Sequence, residues 1–323
     1  MNRVQITAAS RLHFGLLSFG RSAGREYGGV GLMLAQPGLR LTVEPGASLA
    51  ASGPLAERAL DYARRAQRNL GLAEPAPYRI VVESAPPDHV GLGTGTQLAL
   101  AVAAAVCRAQ GRPLPVAPAL ARLVGRGERS AIGTHGFYQG GLLLEAGKLR
   151  GSRSPSGAPL SPLLSRVEFP PDWRFVLIRP ATGSGLSGAE ERQAFAELPP
   201  VDEQITQQLC AEALLGLLPA AAEHDFERCA QSLGRYSRLA GSCFAARQGG
   251  PYAGTQAARR IHWLAAQRLS GIGQSSWGPT LFALLANQAD AERLAAELHQ
   301  SSDEPLAITI AAAANRGAQI AES

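Results

Sequence analysis

Short apolar or β-branched runs bounded by Gly and Pro predict strands at Val4–Ala9, Leu39–Val43 and Tyr78–Val82. Between them, Leu55–Leu70 spaces its apolar residues at helical intervals with charges on the other face, and Gly71 supplies a stop. Thr96–Ala109 is apolar on nearly every side, which predicts a buried helix and not an amphipathic surface one. A Ser-, Pro- and Gly-rich stretch, Leu149 to Ser165, reads as a linker or exposed loop. Beyond it the pattern restarts. Trp173–Ile178 is a predicted strand, Asp202–Leu218, Ala221–Leu233 and Thr255–Leu269 are predicted helices, and Leu281–Leu285, Ala289–Leu298 and Leu306–Ala312 close the chain as strand, helix and strand. The expected class is α+β, in two domains divided at 1–165 and 166–323.

Composition narrows the chemistry. The 323 residues hold 31 Lys and Arg against 26 Asp and Glu, and Lys148 is the single lysine, so the net charge of +5 is carried almost wholly by guanidinium groups. A mechanism built on a catalytic lysine is nearly excluded. Arginine suits bidentate contacts to phosphate and carboxylate, although an arginine bias on helix faces follows equally from genome composition. The arginines are dispersed, with no basic cluster interleaved with aromatics, so anionic small molecules are expected and nucleic acid is not. Cys107, Cys210, Cys229 and Cys243 form no CxxC pair, which suggests neither a disulfide framework nor a zinc site. No secretory pattern opens the chain, and the apolar run Leu98–Cys107 falls well short of the roughly 20 residues of a membrane span. A cytoplasmic protein that inserts in no membrane is expected.

The most informative local feature is the loop Gly91-Leu92-Gly93-Thr94-Gly95-Thr96-Gln97 ahead of the buried helix. Alternating glycines allow successive N–H groups to point at one anion, Thr94 and Thr96 add hydroxyls, and the helix start adds partial positive charge. The spacing is neither Walker A nor the dinucleotide fingerprint, and a tight turn feeding a helix remains open. A second turn, Gly271 to Pro279, offers Gly273, Gln274, Ser275 and Ser276 beside Trp277. It is a hairpin with Trp277 plugging the core, or a site where a planar ligand stacks. Arg11 and His13 stand two residues apart, so an extended chain puts a fixed cation and an acid–base group on one face. Arg126 to Phe137 is another dense run, in which Gly133 and Gly136 bracket His135 and Arg129 follows Glu128.

Six ordered blocks, RLHFGLL at Arg11–Leu17, YGGVGL at Tyr27–Leu32, GLGTGTQLALAVA at Gly91–Ala103, RGERSAIGTHGFYQGG at Arg126–Gly141, GLSGAEERQAF at Gly185–Phe195 and GIGQSSWGPT at Gly271–Thr280, resemble the GHMP kinase superfamily. Within it they are similar to the β-ribofuranosylaminobenzene 5′-phosphate synthase family. The resemblance implies an N-terminal domain like ribosomal S5 domain 2 and a ferredoxin-like C-terminal domain. It also implies condensation of phosphoribosyl pyrophosphate with 4-aminobenzoate or 4-hydroxybenzoate, release of CO2 and pyrophosphate, Mg²⁺ as cofactor, and a homodimer. On that basis Gly91–Gln97, with Gly273–Ser276, is expected to hold phosphate. Arg11 and His13 are expected to serve the carboxylate and the ring substituent, with Arg129 and His135 as second candidates. Asp88, Glu128, Glu190 and Glu191 are all open as metal ligands. An ATP-dependent kinase of the same superfamily is the alternative.

Overall fold

A computed structural model describes residues 3–21, 24–72, 75–151, 159–181, 188–302 and 304–323, with the backbone alone for 188–192. In chain order the first part comprises β1 (Val4–Ser18), β2 (Arg25–Pro45), β3 (Ala50–Ser52), α1 (Ala56–Asn69), β4 (Tyr78–Ser84), α2 (Thr94–Ala109), α3 (Ala117–Leu123), α4 (Ile132–Gln139), β5 (Leu142–Glu145), β6 (Lys148–Leu149) and β7 (Leu163–Val167). Then come β8 (Arg174–Pro180), α5 (Gly188–Glu197), α6 (Glu203–Ala211), a π-helical turn at Glu212–Leu217, α7 (Leu218–Ala222), α8 (Phe226–Ser242), α9 (Ala245–Gln248) and α10 (Gly254–Ala266). The chain closes with β9 (Ile272–Gln274), β10 (Leu281–Leu285), α11 (Gln288–Ser301), β11 (Leu306–Ala312) and β12 (Gln319–Glu322).

The first sheet runs β12-β1-β2-β4-β3, with β5 and β6 also on β2 and β7 on β5. The second runs β11-β8-β10-β9, wholly antiparallel. Numbered within this half, that order is 4-1-3-2 with helices after its first and third strands, which is the ferredoxin-like arrangement. The α+β expectation therefore holds. Two features depart from a division at 165. β7 belongs to the first sheet, and the last strand crosses back to pair with β1 in register Val4 with Glu322 through Thr7 with Gln319.

The predicted helix at Thr96–Ala109 begins two residues earlier, and thirteen of its residues are buried because its Ala, Val and Leu side chains are enclosed all round. With α1 and the Val4, Ile6, Leu41 and Ile80 face of the first sheet it builds one core. A second core crosses between the sheets: Phe14 of β1 lies 5.4 Å from Phe282 of β10 and 6.2 Å from Phe175 of β8. Shared apolar packing joins the two halves, so the stretch 149–165 does not separate them; its residues 152–158 lie outside the described residues. The predicted helix Ala221–Leu233 is divided at Glu223–Asp225, where Asp225 accepts from the Arg228 amide and starts α8. Among the described residues the helical run Glu203–Ala222 is long and apolar enough to cross a membrane. Here it buries Leu209, Ala213 and Leu217 in the inter-sheet core.

Candidate functional site

The glycine loop leads from β4 into α2. Gly91 (φ 87°) and Gly93 (φ 70°) occupy the left-handed region, where a side chain is strained. Gly93 caps the helix, and its carbonyl takes the amides of Thr96 and Gln97. The amides of Thr94 and Gly95, in the first turn, have no acceptor within the helix, which with the helix dipole suits this end to an anion.

Guanidinium groups lie directly against it. A Cβ on Gly93 would sit 2.9 Å from Arg11 Nε, and one on Gly95 would sit 2.5 Å from Arg58 Nη2 and 3.3 Å from Arg126 Nη2. Tyr62 of α1 organises two of these cations, its hydroxyl accepting from Arg58 and Arg126. Arg58 also pairs with Asp88. The cavity over the loop, about 340 Å³, is lined by Arg11, Arg58, Arg126 and Arg129 with the carboxylates of Asp88 and Glu128. Cations outnumber anions, as a polyanionic ligand requires.

A second cavity of about 240 Å³ adjoins the first and shares Arg11, Thr96, Arg126, Glu128 and Arg129 with it. Its far wall is apolar. Trp277 stacks on Phe195 at 4.9 Å and 11°, Phe244 meets Trp277 edge-on at 5.0 Å, and Arg129 lies 4.7 Å over the Phe195 ring. A planar molecule with an anionic edge suits this combination.

His13 lines the aromatic lobe. In β1, Leu12 and Phe14 enter the inter-sheet core, which turns Arg11 and His13 to the other face, as the two-residue spacing predicts. His13 Nε2 lies 3.0 Å from Ser130 Oγ, which is 2.5 Å from Glu145 Oε1. The Ala131 amide approaches both Glu145 oxygens, at 2.9 and 2.8 Å. Burial, and next the Arg11 charge, hold the imidazole well below the usual 6.5, so it is neutral at pH 7. Burial raises the Glu145 carboxyl, against the opposing hydrogen bonds of Ser130, Ser161 and Ala131.

The other predicted site residues divide. Gly91, Gly93, Thr94, Gly95, Thr96, Arg11, His13, Arg129 and Ser276 line the paired cavities. Gln97 does not: buried, it donates to the Gly133 carbonyl at 2.8 Å and ties α2 to α4. His135 turns away, its Nε2 2.7 Å from the Ser161 carbonyl. The second turn is mainly a brace. Ser275 Oγ donates to Gly91 O at 2.7 Å and accepts from His13 N at 3.1 Å, and Gln274 spans the Gly278 carbonyl and the Ala253 amide. Gly273 packs on Ser237, where a Cβ would come within 2.0 Å. Asp88 is engaged by Arg58 and His89, while Glu128 lines both lobes. The side chains of Glu190 and Glu191 lie outside the described residues. Burial lowers the Lys148 ammonium, opposed by the charges of Glu128 and Glu145.

Sequence reasoning passed over Arg58, Phe195, Phe244 and the Ser130–Glu145 pair. Glu145 carried a faint signal, a carboxylate ending the apolar run LLLE with no polar alternation.

Residues 55–140 match the N-terminal domain of GHMP kinases. The β-ribofuranosylphenol 5′-phosphate synthase of Methanothermobacter thermautotrophicus is 31% identical over 295 residues, covering 86% of this chain and 88% of that protein. The chain belongs to the β-ribofuranosylphenol 5′-phosphate synthase family. The synthase of Archaeoglobus fulgidus is 30% identical over 98% of this chain and 99% of its own. Homoserine kinase from Cytophaga hutchinsonii superposes with a TM-score of 0.64 at 14% identity, over 99% of this chain and 98% of its own. That likeness shows a shared fold alone. Membership makes the chain an enzyme, a synthase on a GHMP kinase scaffold.

Proposed function

We propose that the enzyme condenses phosphoribosyl pyrophosphate with 4-hydroxybenzoate to give β-ribofuranosylphenol 5′-phosphate, CO2 and pyrophosphate. The observation that carries this reading is the contiguity of an arginine-ringed anion cradle and an aromatic-walled lobe, with Arg11 and Arg129 common to both. The relatives' product is named as a phenol, which favours the hydroxybenzoate over 4-aminobenzoate.

The C1–oxygen bond of the ribose breaks with its electron pair leaving on pyrophosphate. The Thr94 and Gly95 amides with Arg11, Arg58 and Arg126 stabilise that developing charge from fixed positions. The ring carbon bearing the carboxylate attacks C1. The carbon–carbon bond to the carboxylate then breaks, its electrons restore the aromatic ring, and CO2 departs. Neutral His13 accepts a hydrogen bond from the phenol O–H, and that bond strengthens as the ring becomes electron-poor and relaxes at rearomatisation. Phe195, Phe244 and Trp277 hold the ring flat and keep water from the ribosyl cation.

The residues fit Mg²⁺ in a limited way. Among the described residues no group of three His, Cys, Asp or Glu is close enough to hold a metal, so Glu128 would be its protein ligand and the substrate's phosphates would supply the rest. Bound there, Mg²⁺ would neutralise charge on the departing pyrophosphate. The reading takes the enzyme to be a homodimer, as the resemblance implies and light scattering tests, and keeps the cytoplasmic location expected from the lack of a secretory pattern.

The deciding experiment supplies phosphoribosyl pyrophosphate and carboxyl-labelled 4-hydroxybenzoate or 4-aminobenzoate to the pure enzyme. Labelled CO2 in step with pyrophosphate is expected. Release from neither benzoate, with ATP turnover on a small alcohol, would sink the proposal.

A further inference from the structure

The buried chain His13–Ser130–Glu145 has an internal logic. Glu145 is fully buried at the end of β5, and the Ala131 amide at the start of α4 lies against both its oxygens. With the Ala131 amide directed at both oxygens, Glu145 is held as an acceptor at each, the pattern of a carboxylate, and Ser130 Oγ, 2.5 Å from Oε1, gives it its one proton. Its oxygen is left as an acceptor, taking the Ile132 amide at 3.3 Å and facing His13 Nε2 at 3.0 Å. Nε2 must then carry the ring proton. Nδ1, the remaining nitrogen of a side chain that lines the aromatic lobe, is left with its lone pair.

We propose that Glu145, acting through Ser130, is a positioning residue that locks His13 as the Nε2–H tautomer, so that Nδ1 selects an aromatic acid with a hydrogen-bond donor at the para position. This deepens the reading above, since it takes the aromatic lobe to hold the ring. It requires an acceptor at Nδ1, satisfied by a phenol or an aniline and refused by an ether.

Glu145→Gln reverses the chain. The Ala131 amide claims the carboxamide oxygen at the Oε2 position, its shorter contact, the NH2 takes the Oε1 position and donates to Ser130, and the Ser130 proton turns to His13 Nε2. The variant's Nδ1 then carries hydrogen. Nitrogen-15 NMR of histidine-labelled protein without substrate reads this directly: Nε2–H is expected in the wild type and Nδ1–H in E145Q. By calorimetry with pyrophosphate present, the preference for 4-hydroxybenzoate over 4-methoxybenzoate is expected to fall about tenfold or more in E145Q. Turnover of 4-hydroxybenzoate should fall about a hundredfold, with little change in the KM for phosphoribosyl pyrophosphate. Should E145Q fail to fold, Ser130→Ala, which cuts the link, is expected to weaken the same preference. A wild-type His13 protonated on Nδ1, or a folded E145Q with unchanged tautomer and preference, would overturn the proposal. Tautomer reversal with no CO2 release from the wild type would condemn the reaction reading and leave the lock standing.

Discussion

Gly91–Gln97 and Gly271–Thr280 are both glycine-rich, both carry hydroxyl side chains, and both border the same cavity, yet their polar groups are spent differently. The first turn leaves its leading amides without an acceptor in the helix and shares its cavity with four arginines. In the second, Ser275 holds the Gly91 carbonyl, Thr280 donates to the Val90 carbonyl at 2.6 Å and the Ser276 amide donates to the His13 carbonyl at 3.0 Å. A Cβ on Gly278 would come within 2.3 Å of the Gly91 backbone, so beside the Ser275 bond the two turns meet glycine against glycine. Composition marks both as candidate anion sites. What separates them is whether the hydrogen bonds end on the chain or face the cavity.

Arg11→Ala tests the open turn most severely. It removes a cation from both lobes, and kcat/KM should drop about 10²–10³-fold in steady-state assays with the fold intact by circular dichroism. Gly278→Ala tests the brace: forcing a methyl into the seam is expected to cost about 1–3 kcal/mol in urea unfolding and to raise the KM for phosphoribosyl pyrophosphate. Ser275→Ala leaves a buried carbonyl and amide unpaired and should cost about 1–3 kcal/mol, with a far smaller loss of turnover than Arg11→Ala. Equal losses of turnover in these two variants would erase the distinction.

Acid sharpens the comparison further. Since the folded His13 resists protonation, the unfolded chain binds more protons below about pH 6.5, and stability falls as the pH drops from there through the depressed folded value. Turnover should stay flat through pH 6.5 and decline only at lower pH, while a midpoint at the ordinary imidazole value would place His13 in solvent. Smallest of all, His135→Ala should leave kcat unchanged and cost about 1 kcal/mol through the lost bond to Ser161.

Periodicity carried the fold well where one environment persists along an element. Leu306–Ala312 and Leu281–Leu285 appear with the expected bounds, and α2 is buried as its unbroken apolar surface implies. The returning strand Gln319–Glu322 was invisible because it is short, largely exposed and meaningful only beside β1. Within the site, Arg11 and His13 were legible because two-residue spacing defines a strand face. Arg58 was not, since a charge on an amphipathic helix looks solvated until Tyr62 and Asp88 are seen around it. Phe195 comes from α5 and Phe244 from the residue that caps α9, and only the tertiary fold brings both to Trp277, one stacked and one edge-on.

The brace has a further consequence in time. Its bonds close loops of 184, 190 and 262 residues, joining Ser275 to Gly91, Thr280 to Val90 and His13 to Ser275. Contacts between such distant positions form late, because the loop entropy is lost before the contact repays it. β1, β2 and β4 with α1 and α2 can collapse on contacts within the first 110 residues, but the cradle stays unfinished until the last third of the chain arrives. In refolding followed by stopped flow, pyrophosphate binding should emerge in the slowest phase, after the bulk of the helical signal has returned.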